Sequence, residues 1–107
     1  MDDYPTGTVT FVFTDVVDSS HLWEEHPDEM HAAMAAHDEI VKNATAANSG
    51  VLVKQTGDGA HLVFPSANDA VAAATTIQSA LAGEGPELTL EVRIGVHTGE
   101  ARLREGD

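Results

Sequence analysis

Thr8-Val9-Thr10-Phe11-Val12-Phe13-Thr14-Asp15 decides the architecture of this chain. β-Branched and aromatic residues fill it, the composition of a central strand rather than a helix. The run closes on a carboxylate. Just beyond it, Asp18-Ser19-Ser20 offers N-cap chemistry, and the pattern turns helical from Leu22 onward. An interruption follows, with Pro27 at a natural helix start. Met30, Ala33, Met34, His37, Ile40, Val41 and Ala44 recur at spacings of three and four and form one apolar stripe. Asn48-Ser49-Gly50 ends that helix, with Gly50 as the natural left-handed residue.

Val51-Leu52-Val53-Lys54 and Ala60-His61-Leu62-Val63-Phe64 read as two further strands around the turn from Gln55 to Gly59. Pro65-Ser66 stops the second of them and opens an Ala-rich helix from about Ala67 to Leu81. A break from Gly83 to Pro86 follows. Leu88 to His97 reads as a fourth strand, and Thr98-Gly99 as a turn into a short fifth run, Glu100 to Leu103.

The order β-α-β-β-α-β is the ferredoxin-like pattern. It predicts an α+β sandwich, an antiparallel sheet with both helices on one face. The first strand lies between the third and the fourth, and the second lies outside the third. The end of strand one and the start of strand three then share an edge, which is where Asp15 and Asp58 fall. Lys54, at the end of strand two, is expected on the same edge. Two carboxylates meeting there without an obvious cation are costly unless a divalent metal lies between them.

Bulk composition narrows the function. A chain of 107 residues holds one domain with a modest core. With 18 acidic against 5 basic residues, its formal net charge of -13 disfavours nucleic-acid binding and repels anionic lipid. A nucleotide is compatible only where metal ions mask the local field. No cysteine is present, so disulfides and thiolate metal sites are unavailable. The acidic start Met1-Asp2-Asp3-Tyr4-Pro5 lacks signal-peptide character, and no stretch approaches the ~18 apolar residues of a spanning helix. The expectation is a soluble, cytoplasmic protein with neither a nucleic-acid nor a membrane partner.

Three stretches carry a specific resemblance: Phe13-Thr14-Asp15-Val16-Val17-Asp18-Ser19-Ser20, Lys54-Gln55-Thr56-Gly57-Asp58-Gly59, and Arg93-Ile94-Gly95-Val96-His97-Thr98-Gly99-Glu100. In order and spacing they resemble the class III adenylate/guanylate cyclase catalytic domain, and the likeness covers essentially the whole chain. Residues 1–107 are accordingly read as a single, partial nucleotidyl cyclase catalytic domain. The resemblance implies conversion of ATP, favoured over GTP, to a 3′,5′-cyclic nucleotide and pyrophosphate. Two divalent ions, Mg²⁺ or Mn²⁺, would be held by Asp15, Asp58 and the backbone carbonyl of Val16. Ser19 and Ser20, where the chain turns into the helix, would face the phosphates. Lys54 matches a base-reading position, and Asp107 falls where its acidic partner is expected. A solvated strand-end lysine remains the plain alternative for Lys54.

Two departures accompany the likeness. The family usually carries Glu-Gly where this chain has Val17-Asp18. Glycine there lets the backbone approach phosphate, whereas Asp18 adds a side chain and a negative charge, or simply caps the helix. The asparagine and arginine that stabilise the transition state lie in a helix further downstream in the family, and this sequence stops before it. Family sites form between two subunits, so a homo- or heterodimer with another cyclase domain is expected, with little turnover from these residues alone. A non-catalytic pseudocyclase, or a nucleotide-metal-binding and dimerisation module, is the alternative. A diguanylate cyclase finds no support, because Gly57-Asp58-Gly59 is not its signature.

The remaining residues receive ordinary readings. Arg93 and His97 read as sheet and turn residues, and Trp23, Met30 and Met34 as core or interface packing. His21, His26, His31 and His37 read as helix-surface or partly buried residues, since no two histidines have the i, i+4 zinc spacing.

Overall fold

The computed structural model describes residues 7–83 and 88–101. Its elements are β1 (Gly7–Val16), α1 (Ser19–Glu25), α2 (Pro27–Ala47), β2 (Val51–Gln55), β3 (Gly59–Phe64), α3 (Ala67–Ala82) and β4 (Val92–Ala101). The four strands form one antiparallel sheet in the order β2-β3-β1-β4, the expected ferredoxin-like arrangement.

Period-two alternation gives β1 its two faces. Thr10, Val12, Thr14 and Val16 are buried, while Phe11 and Asp15 are half-buried and Phe13 is exposed. Val9, at the end far from Asp15, is buried as well. The buried face packs under the helices in two clusters. Val12, Ala60, Leu62 and Phe64 of the sheet meet Val41 and Ala44 of α2 and Ala70, Ala73 and Ile77 of α3. Val16 and Val92 meet Met30, Ala33 and Met34, closed by Leu90. The apolar stripe read for α2 is the face that does this.

Among the described residues, two buried polar atoms, Thr14 Oγ1 and His37 Nε2, have no hydrogen-bond partner. Thr14 follows Val12 and precedes Val16; His37 follows Met34 and precedes Val41. Both residues therefore lie where the two clusters adjoin. His37, read as surface or partly buried, is fully buried, and its Nδ1 lies 2.9 Å from Asp38 Oδ1.

Three local expectations need correction. Thr98-Gly99 is not a turn: β4 runs straight through it, with Thr98 opposite Thr10, Gly99 opposite Val9 and Glu100 opposite Thr8. The Thr10 and Thr98 hydroxyls lie 2.9 Å apart and share a hydrogen bond. Glu100 and Ala101 thus belong to β4, and residues 102–103 of the expected fifth run lie outside the described residues. The strand also begins later than Leu88: its ladder with β1 starts at Val92, opposite Val16, and before it only the Glu91 carbonyl is engaged, accepting from the Val17 N–H at 2.9 Å. Leu88 and Leu90 pack into the second cluster instead.

At the end of α2, Ser49 rather than Gly50 takes the left-handed conformation, at φ 63°. Gly50 is required for another reason, since a Cβ there would collide with the Phe64 ring. Its amide closes the helix on the Thr45 carbonyl at 2.9 Å. No helix among the described residues is long and apolar enough to cross a membrane.

Candidate functional site

The strand pairing brings Asp15 and Asp58 together through the backbone. Asp15 lies opposite Gly59 in the β1–β3 register. One residue on, the Val16 N–H donates to the Asp58 carbonyl at 2.7 Å. In a strand the N–H and C=O of one residue share a side, so the Val16 carbonyl faces the same hairpin. Gly59 permits this closeness, because a Cβ there would meet the Thr14 carbonyl.

The hairpin holds its own carboxylate. The Thr56 N–H donates to the Gly59 carbonyl at 2.9 Å, and the Thr56 hydroxyl donates to Asp58 Oδ1 at 2.8 Å. Asp58 is exposed. Thr56 was not singled out in the sequence, although Thr-x-Asp is a recognisable side-chain turn.

Asp15 is not without a cation. Arg93, directly opposite it on β4, makes an ion pair with Asp15 Oδ2. The expectation of two uncompensated carboxylates is therefore corrected. With Arg93 72% and Asp15 47% exposed, water screens the pair, which contributes at most about 1 kcal/mol. The strand order implies that β1 and β4 pair, but only their register sets Arg93 opposite Asp15.

Lys54 was expected on the same edge. The register of β2 slips between Leu52 and Lys54, and Lys54 pairs with His61. Without that bulge Val53 would face His61, and Lys54 would share the helix-covered side with Leu52. The bulge turns Lys54 onto the open side, in one row with His61, Phe13 and Gly95. That row lies two residues back from Asp15 along β1. Phe13 is 43% exposed, and its ring meets the His61 ring edge-on at 4.8 Å between centroids. Sequence alone does not bring Lys54 into the row of Phe13 and His61, because that alignment depends on the bulge in β2.

Ser19 and Ser20 open α1, half-buried and exposed respectively. Asp18 precedes them in the left-handed region at φ 58° and ψ 32°, and its side chain makes no capping hydrogen bond. Of its two readings, side-chain capping is not observed, and its backbone takes a conformation that glycine adopts more easily. Asp107 lies outside the described residues.

Two carboxylates and a carbonyl are hard oxygen donors that suit Mg²⁺ or Mn²⁺. Among the described residues no group of three or more His, Asp or Glu side chains gathers at one place. The donor set fits an ion that shares its coordination with a phosphate ligand, rather than one caged by protein alone.

The adenylate and guanylate cyclase catalytic domain family matches residues 1–104. The chain belongs to that family. An uncharacterized protein of Mycobacterium tuberculosis is 39% identical over 104 residues, which cover 94% of this chain and 34% of that protein. The adenylate cyclase of Lachancea kluyveri is 34% identical over 116 residues, 89% of this chain and 6% of that one. Among solved structures, an adenylate cyclase of Trypanosoma brucei in its monomeric state superposes with a TM-score of 0.85 at 26% identity. That match covers 96% of this chain and 61% of the trypanosomal one. The guanylate cyclase domain of a Catenaria anguillulae protein in complex with GTP has a TM-score of 0.78 at 17% identity, a likeness of fold alone. This cyclase-family chain thus spans 34% of its mycobacterial relative and 61% of the trypanosomal structure.

Proposed function

We propose that this chain is the metal-binding and base-binding part of a nucleotidyl cyclase domain that converts ATP, in preference to GTP, to 3′,5′-cyclic AMP and pyrophosphate in intracellular signalling. The observation that carries the reading is the meeting of the Asp15 strand end with the Asp58 hairpin, secured by the Val16 to Asp58 backbone bond. Two divalent ions bound there would activate the ribose 3′-hydroxyl and balance the charge of the phosphates.

The chain's own residues then divide the work. Asp15, Asp58 and the Val16 carbonyl supply the oxygen ligands. Arg93 pairs with Asp15, and its exposed guanidinium is free to exchange that carboxylate for a phosphate oxygen. The backbone at Ser19 and Ser20 supplies N–H donors to phosphate. Lys54 reads the base edge, and the exposed Phe13 ring, beyond His61 in the same row, gives the base a face to stack on.

A second cyclase domain, from a copy of this chain or from a different protein, would complete the site across a dimer. The charge-stabilising asparagine and arginine of the family are not among these residues, so the isolated chain should bind nucleotide and turn it over little or not at all. A non-catalytic role as a pseudocyclase or dimerisation module is favoured by one observation, the left-handed Asp18 where family members carry glycine.

Cyclic nucleotide formation from ATP or GTP with Mn²⁺ tests both readings. The pure chain should give none, and its mixture with a complete cyclase domain should differ from either component alone. Turnover by the pure chain that disappears in Asp15→Ala would overturn the claim of an incomplete site. Absence of both Mg-ATP binding and any effect on a partner would remove both readings.

A further inference from the structure

Trp23 packs beside the second cluster, yet among the described residues it is the one side chain outside the hairpin that bonds the tip carrying Asp58. Its indole Nε1–H donates to the Gly57 carbonyl at 3.4 Å. The ring is itself held, edge-on against His31 of α2 at 4.9 Å between centroids and packed beside the cluster of Val16 and Met30. Gly57 has no side chain to anchor it, and a Cβ there would meet nothing within 4 Å.

The consequence for Asp58 follows from the planarity of the peptide bond. The direction of the Asp58 Cα–Cβ bond is set by the two peptide planes that flank it. The plane before it is gripped at its carbonyl by Trp23, and its N–H points to the Thr56 hydroxyl at 3.4 Å. The plane after it is gripped at its carbonyl by the Val16 amide at 2.7 Å. Release of the first grip frees one plane in an exposed turn and leaves the carboxylate tethered by the Thr56 hydroxyl alone.

We propose that Trp23 is a positioning residue for Asp58, its indole N–H fixing the peptide plane that aims the carboxylate at the cation site. The proposal rests on the metal-site reading above, and its test keeps the two separable. Trp23 is the only tryptophan in the chain, so growth of a tryptophan auxotroph on β-(3-benzothienyl)alanine replaces it with a near-isosteric ring that lacks the N–H. Two readouts follow, amide hydrogen exchange of residues 56–59 without metal, and Mn²⁺ binding followed by electron paramagnetic resonance. His31→Ala, which removes the ring's stop but keeps the N–H, is the second variant.

Loss of the N–H should speed exchange at the hairpin and weaken Mn²⁺ binding by roughly two- to fivefold each, in keeping with one long neutral hydrogen bond. His31→Ala should produce a smaller change of the same sign. Unchanged exchange in the N–H-free protein would overturn the proposal, because packing alone would then explain Trp23. Faster exchange with unchanged Mn²⁺ affinity would overturn it too, since the hairpin would be held without aiming the carboxylate. If the unsubstituted chain and Asp58→Asn both fail to bind Mn²⁺, the metal-site reading falls, and exchange alone decides whether Trp23 holds the hairpin.

Discussion

The two sides of the β1 strand carry opposite assignments. On the covered side, Val12, Thr14 and Val16 lie under helices, and Phe64 and Leu62 on β3 extend the same packed layer. On the open side, Phe11, Phe13 and Asp15 face away from the helices, in rows with Val63, His61 and Gly59 on β3 and His97, Gly95 and Arg93 on β4. The first side makes the fold and the second carries the proposed site. Alternation along one strand lets a small, acidic chain do both.

Substitutions on the two sides should therefore differ sharply. Phe64→Ala, at a fully buried ring, should lower stability by about 3–5 kcal/mol. Phe13→Ala, at a ring 43% exposed, should cost under about 1 kcal/mol, both read from urea denaturation. Equal losses would break the comparison. Glycines sharpen it next. Gly59→Ala forces a Cβ against the Thr14 carbonyl and should cost about 1–3 kcal/mol. Gly95→Ala meets nothing within 4 Å and should stay within about 0.5 kcal/mol of the parent.

The smaller effects fall at the site itself. Asp18→Gly should raise stability by about 0.5–1 kcal/mol by relieving the left-handed backbone, whereas Asp18→Ala should lower it. Thermal denaturation of the pair reads both signs. Arg93→Ala should change stability by less than about 1 kcal/mol, as expected for an exposed ion pair. The same change should strengthen Mn²⁺ binding, because Arg93 no longer competes for Asp15. Weaker Mn²⁺ binding in Arg93→Ala would mean that the guanidinium orients Asp15 rather than covering it.

The sheet was legible because its signals are local and repeated. Thr8 to Asp15 alternates, the α2 stripe from Met30 to Ala44 is helical, and Pro27 and Ser66 mark helix starts, with Ser66 accepting from the Asp69 N–H at 3.4 Å. The pairing of Asp15 with the Gly57-Asp58-Gly59 hairpin followed from strand order. What escaped depends on contacts between distant segments. Gly50 answers to the Phe64 ring, not to its own backbone. Thr98-Gly99 stays extended because Thr10 and Val9 pair with it, overriding local turn preference. The β2 bulge decides which way Lys54 faces, and Trp23 reaches a carbonyl 34 positions along the chain. Arg93 was visible as a residue but not as the partner of Asp15, which only the β1–β4 register supplies.

The central claim is that Asp15 and Asp58 act as one divalent-cation site, and Mn²⁺ binding in the presence of ATP tests it most directly. Electron paramagnetic resonance of free Mn²⁺ would compare the parent chain with Asp15→Asn, Asp58→Asn and the double variant. The account predicts that each single change weakens binding by at least about tenfold and that the double variant is little worse than either. Binding that is unaffected by both single changes, or losses that simply add as for independent sites, would contradict it.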